Sequence, residues 1–176
     1  MDRNLKKVGT INYKNGKYSN LFRVGSFILF VIIGAILIML SNSVENNIIK
    51  GQWFLIGCFG YIILHESIHL FFMKLFSKEK LHISIKFPTI SVGSDAKFSK
   101  KQFMIIASAP VIILGIILLL LILFTSKEYT FLWSILLILN FAGSGGDYMQ
   151  VFKVIHFSPN TYFQDNSKET IIYQEQ

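Results

Sequence analysis

His65-Glu66-Ser67-Ile68-His69 places two histidines four residues apart with a carboxylate beside the first. On a helix, residues four apart project from nearly the same face. His65 and His69 can therefore offer two imidazoles to one metal ion, and Glu66 is placed to polarise a water held there. This spacing suits hydrolysis at zinc. The surroundings sharpen the reading. Between Gly51 and Met73 the only charged residue is Glu66, and ionisable groups at membrane depth are costly and mark functional sites.

A zinc ion that does chemistry needs a third protein ligand. Of ten acidic residues, only Glu66 and Asp147 lie within apolar stretches. Asn140, Ser144 and Asp147 recur at i, i+4 and i+7, forming one polar stripe with Gly143, Gly145 and Gly146 around it. His69 lies seven residues before a helix end near Phe76, and Asp147 eight before one near Ile155. At about 1.5 Å per residue the two sit at nearly equal depth. Asp147 is the expected third ligand, with Asn140 or Ser144 as a contact to an oxyanion or to substrate backbone. The glycines suit close helix packing or a loosened helix equally well. His82 and His156 belong to no motif and are left outside the site.

The elements that must hold these groups are apolar. Of 176 residues 52% are hydrophobic, 17 of them Phe. The apolar residues fall in four blocks: 24–44 and 102–126 carry no charge, 51–73 only Glu66, and 129–152 only Asp147. Each reaches the roughly 20 residues needed to cross a hydrocarbon core of about 30 Å. The expected fold is an all-α integral membrane protein. It has four transmembrane helices, over about 22–42, 51–76, 102–126 and 129–155, forming a single membrane domain. An N-terminal tail (1–21), a central loop (77–101) and a C-terminal tail (156–176) flank them. The single cysteine, Cys58, excludes an intramolecular disulfide and suits a small apolar filler. Pro110 predicts a kink in the third helix.

Net charge is +7, but its distribution argues against nucleic acid and for a bilayer. Six of the 17 Lys and Arg precede the first block and six lie in the central loop 77–101, whereas the other two loops hold only Lys50 and Lys127. The positive-inside rule places both termini and the central loop in the cytoplasm of a bacterial cell, with 45–50 and 127–128 outside. The basic residues also suit anionic headgroups. Leu81–Phe87 and Thr89–Gly93 alternate apolar and polar residues around Pro88. That period predicts two short strands, a hairpin able to pair with an extended substrate segment, or else an irregular amphipathic loop.

These residues resemble a known class. His65-Glu66-Ser67-Ile68-His69 in a transmembrane helix, with a distant Asp in a helix rich in small residues, looks like the intramembrane site-2 proteases. The chain is more similar to a family of small bacterial membrane zincin peptidases. In that family a late helix carries an Asn and then a Gly-Asp pair, here Asn140 and Gly146-Asp147. Ala109-Pro110 resembles the family's third helix, and the likeness spans about residues 50–155. The chain departs from the site-2 pattern in that Tyr148, not Gly, follows Asp147.

Together these readings predict an intramembrane zinc metalloendopeptidase. His65, His69 and Asp147 hold Zn2+, and Glu66 acts as general base on a peptide bond in a membrane-embedded or membrane-bound substrate. The alternative is a metal-binding membrane protein without catalysis, serving transport, sensing, or an immunity or interaction role. Transport would favour polar residues along several helices, and the first and third blocks carry almost none. The pattern specifies no oligomeric state.

Overall fold

The structure is a computed structural model that describes residues 4–12, 17–40, 51–86, 89–167 and 169–175. Eleven elements follow one another among them: β1 (Leu5–Asn12), α1 (Lys17–Leu40), α2 (Gly51–Phe76), β2 (Leu81–Lys86), β3 (Thr89–Ser94), β4 (Phe98–Ser99), α3 (Lys100–Phe124), α4 (Lys127–Gly143), α5 (Gly145–Val154), β5 (Thr161–Asp165) and β6 (Glu169–Glu175).

The expected all-α architecture is thus corrected to a mixed α/β one, with six strands in two antiparallel sheets. The predicted hairpin in the central loop is present as β2–β3, in register from Leu81 opposite Ser94 to Lys86 opposite Thr89. What composition concealed is the four-stranded sheet of order β1-β6-β5-β4, built from both tails and the end of the central loop. Its strands alternate as a half-buried sheet must. Thr161, Phe163 and Asp165 point inward on β5, and Thr170 and Ile172 on β6. Five to eight residues of alternation in a polar tail is a weak signal. Moreover, β1 finds its partner β6 only across nearly the whole chain, Leu5 opposite Glu175.

Three helical segments are long and apolar enough to cross a membrane: Leu55–Phe76, Lys100–Phe124 and Lys127–Val154. The first expected span corresponds to α1, whose described apolar stretch, Val24–Ile36, is shorter. The expected outer loop 45–50 and Pro88 lie outside the described residues. Along α2, Leu55, Ile56, Phe59 and Ile63 are more than half exposed, as lipid-facing side chains would be.

Two apolar clusters organise the interior. One lies among the helices, around Leu114, Leu118, Leu132 and Leu136, with Cys58 packed against it. The other joins the helix ends to the sheet, through Met73, Val92, Phe98, Phe103, Ile106, Val154, Phe163 and Ile172. Helix α3 starts on a capping box between them and the strands. The Ser99 amide donates to Gln102 Oε1 at 3.0 Å, and the Gln102 amide donates to Ser99 Oγ at 3.4 Å. The Lys100 ammonium then donates to the carbonyls of Ile155 and Phe157 just past α5, at 2.8 and 2.6 Å. This ties the start of α3 to the end of α5.

The expected fourth helix is two helices. It breaks at Ser144, whose φ of −82° and ψ of 16° leave the helical well. Gly143, Gly145 and Gly146 surround the break, and glycine disfavours helix by about 1 kcal/mol relative to alanine. The break puts Asp147 in the first turn of α5. Unpaired amides and the helix dipole favour a carboxylate at that position.

Candidate metal centre

His65 and His69 project from α2 and Asp147 from α5, and their ligating atoms all lie within 4.8 Å of one another. His65 Nε2 stands 3.1 Å from Asp147 Oδ2, and His69 Nε2 stands 3.4 Å from Asp147 Oδ1. Each imidazole therefore faces its own carboxylate oxygen. Both histidines are buried.

The other nitrogen of each ring is held by a neighbour. His69 Nδ1 lies 2.8 Å from the carbonyl of Ile106, so it donates its proton there. That carbonyl is available because Pro110, four residues on, has no N–H to return to it. The proline expected to kink α3 thus also leaves an acceptor facing His69. His65 Nδ1 lies 3.1 Å from the Tyr61 hydroxyl, one turn earlier on α2. Tyr61 in turn donates to Asn140 Oδ1 at 3.2 Å, so its oxygen accepts from His65. A metal ion at this point would take the Nε2 lone pair of each ring, with the ring proton kept on Nδ1. Two neutral imidazoles, one carboxylate and room for a further ligand match the donor set of a zinc site that does chemistry.

The two remaining candidates sit behind this arrangement. Asn140 is fully buried. Its amide nitrogen donates to the Val111 carbonyl at 2.9 Å while its oxygen receives Tyr61. Ser144 Oγ donates to the Asn140 carbonyl at 2.6 Å. The structure brings Asn140 to His65 through Tyr61, and places Ser144 at the helix break. His82 pairs with Asp95 at 2.8 Å on the exposed hairpin, and His156 donates to the Phe152 carbonyl at 2.7 Å.

Tyr61 is a residue that motif reading passes over, because a tyrosine in an apolar block reads as filler. Its signal is the four-residue spacing before His65. Tyr61→Phe removes the acceptor for the His65 proton and the donor to Asn140. Zinc affinity is expected to fall about 10–100-fold, as when a group that orients a ligand is lost. Competition against a chromogenic chelator measures it.

In front of the ligands lies a cavity of about 120 Å³. Glu66, His69 and Met73 line it from α2, Phe103 and Ile106 from α3, and Asp147 and Gln150 from α5. Ser91 and Val92 of β3 and the β5–β6 turn, with Asp165 and Ser167, complete the wall. Gly93 lets β3 approach that turn: a Cβ there would stand 2.7 Å from the Asp165 carbonyl oxygen. Asp165 also escapes motif reading, since it lies in a polar tail. Its signal is its place on the inward face of Thr161–Asp165.

Burial pushes the Asp165 carboxyl up to about 7, with the charges of Asp147 and Glu66 adding to the rise. The Ser167 amide and His69 oppose it. A raised carboxyl favours the fold while protonated. Its contribution is fully present below the ordinary value of 3.8 and is lost as pH rises through about 7. Asp165→Asn keeps an oxygen for the Ser167 amide but carries no charge. Zinc-free Asp165→Asn is expected to melt higher than the parent above pH about 7, the gap closing towards pH 3.8. Scanning fluorimetry in detergent checks this.

A family model described as "Putative zincin peptidase" matches residues 58–163. The matched span holds His65, Glu66, His69, Asn140, Ser144 and Asp147, and stops short of Asp165. No curated protein and no solved structure matches the chain significantly.

Proposed function

Since the chain belongs to the zincin peptidase family, whose model covers more than half of it, we propose that it is an intramembrane zinc metallopeptidase of the bacterial cell membrane. Its substrate is a peptide bond in a membrane-embedded or membrane-bound protein. The observation that carries this reading is the meeting of His65, His69 and Asp147 beside a cavity that Glu66 also lines.

His65 and His69 would hold the metal through Nε2 and Asp147 through its carboxylate. Bound zinc supplies Lewis acidity towards the scissile carbonyl and brings the ionisation of water to near neutral pH. Glu66 takes the proton of the attacking water and later delivers it to the leaving amine. Tyr61 and the Ile106 carbonyl keep the imidazoles aimed. Met73, Val92, Phe103 and Ile106 limit the water that reaches the reacting bond.

The six strands gather at one end of the helices, because segments before α1, between α2 and α3, and after α5 pair or pack together. The lysine and arginine asymmetry assigns that end to the cytoplasm, so the cavity is reached from that side. A helical substrate hides its carbonyls in hydrogen bonds to the fourth residue on, and must unwind locally before attack. Helix-breaking residues near the scissile bond should therefore speed cleavage.

The test is digestion of peptides derived from membrane segments by zinc-loaded protein in lipid nanodiscs. Cleavage that phenanthroline stops and zinc restores is the expected result. A zinc-bound protein that cleaves no peptide, with or without helix-breaking residues, returns the site to metal binding without catalysis.

A further inference from the structure

Asp165 does nothing in the mechanism above, yet it is 94% buried at the cavity wall, with 6% of its surface exposed. Its placement is specific. Oδ1 accepts the Ser167 amide at 2.9 Å. Ser167 takes a φ of 68° to make that contact, a left-handed conformation uncommon in residues other than glycine. Oδ2 has Gln150 Nε2 at 3.4 Å, a long contact at the limit of a hydrogen bond. Glu66 and Asp147 line the same cavity, and no Lys or Arg among the described residues does.

A carboxylate buried without a cation is costly unless something enters to pair with it. Zinc does not meet that need. It would sit among His65, His69 and Asp147, whereas the recorded hydrogen bonds of Asp165 go to Ser167 and Gln150 instead. Met73, Val92, Phe103 and Ile106 give the lining its apolar part, beside the uncharged Ser91, Gln150 and Ser167. Apolar walls leading to a carboxylate complement a side chain with an aliphatic stem and a cationic head, which is lysine or arginine. A volume of about 120 Å³ suits one such side chain, being about four waters at roughly 30 Å³ each.

We propose that Asp165 is a specificity-determining residue, receiving the ammonium or guanidinium of a basic substrate residue beside the scissile bond. This rests on the peptidase reading above and adds the class of substrate to it. The source of the basic residue follows from membrane chemistry. Spans are flanked by Lys and Arg at their cytoplasmic ends, the end at which the strands and this cavity lie. Asp165 lies two residues beyond the residues 58–163 that the family model matches.

Binding tests this separately from turnover. Zinc-loaded Glu66→Gln protein in nanodiscs is titrated with a fluorescent, acetyl-capped apolar peptide carrying one lysine, and with its norleucine twin. A third peptide is the norleucine twin with a free amino terminus. The lysine peptide should bind about tenfold or more tightly than the norleucine twin, the effect of one hydrogen-bonded charge. In Asp165→Asn,Glu66→Gln protein that preference should vanish while norleucine binding stays unchanged. Asp165→Lys in the same background should prefer a glutamate peptide instead. Equal binding of the lysine and norleucine peptides overturns the proposal, as does a lysine preference that survives Asp165→Asn. A preference only for the free amino terminus overturns the side-chain assignment. Zinc-bound parent that cleaves none of these peptides yet binds the lysine form through Asp165 refutes the peptidase reading and leaves the charge selectivity standing.

Discussion

Glu66→Gln lowers turnover about 10²–10⁴-fold, the range expected for loss of a general base, and leaves zinc in place. The two side chains have nearly the same shape, so the α2 backbone and the cavity outline persist. Glutamine can hold a water by hydrogen bonding but cannot take its proton. His65, His69 and Asp147, the proposed ligands, make none of these hydrogen bonds or ion pairs with Glu66, so metal content should match the parent. Elemental analysis and peptide cleavage on the same nanodisc sample measure both quantities. A variant that retains zinc and parental turnover, with contaminating proteases controlled for, removes Glu66 from the chemistry. A variant that loses zinc makes it a ligand or a support for one.

Asp147→Ala should weaken zinc by more than the roughly 10–100-fold that follows loss of a group that merely orients a ligand. Among the described residues the carboxylate is the one acidic group paired with both imidazoles, at 3.1 and 3.4 Å. Its removal leaves two neutral nitrogen donors on a single helix. His69→Ala should have an effect of the same order. The contrast with Tyr61→Phe is informative, because the Tyr61 hydroxyl meets His65 at Nδ1, the nitrogen that faces away from Asp147. Chelator competition on the three variants should rank Asp147→Ala and His69→Ala well below Tyr61→Phe. Parental affinity in Asp147→Ala would assign the third ligand elsewhere and leave the helix break at Ser144 without its role.

Why some of this was legible in the sequence follows from scarcity. In apolar blocks every polar residue stands out, so His65, Glu66, His69 and Asp147 could be singled out and matched by depth. The hairpin β2–β3 was legible because its alternation is local and its two strands are adjacent. Asp165 has the same inward alternation, but it sits among polar residues where a carboxylate is ordinary. Tyr61 carries no charge, and its hydroxyl matters only because Asn140 arrives from α4. The link from Pro110 to His69 is invisible in one dimension. The sequence announces a missing N–H, not which histidine will use the carbonyl it leaves. The all-α expectation failed for a related reason. Composition reports what lipid can accommodate, whereas the sheet depends on pairings between segments at opposite ends of the chain.

That long-range pairing also sets an order of assembly. Translation delivers His65 and His69 first, then Asp147, and only afterwards Asp165 and Ser167. Strand β1 emerges early but must wait for β6, since Thr10 pairs with Ile171 and Asn12 with Glu169. Contacts so distant form slowly, after the helices have packed. A nascent chain therefore passes through a stage in which His65, His69 and Asp147 are made while the wall bearing Asp165 is not. During that interval the cavity lacks the wall that Asp165 and Ser167 supply. If Asp165 selects the substrate as proposed, discrimination is the last property the growing polypeptide acquires.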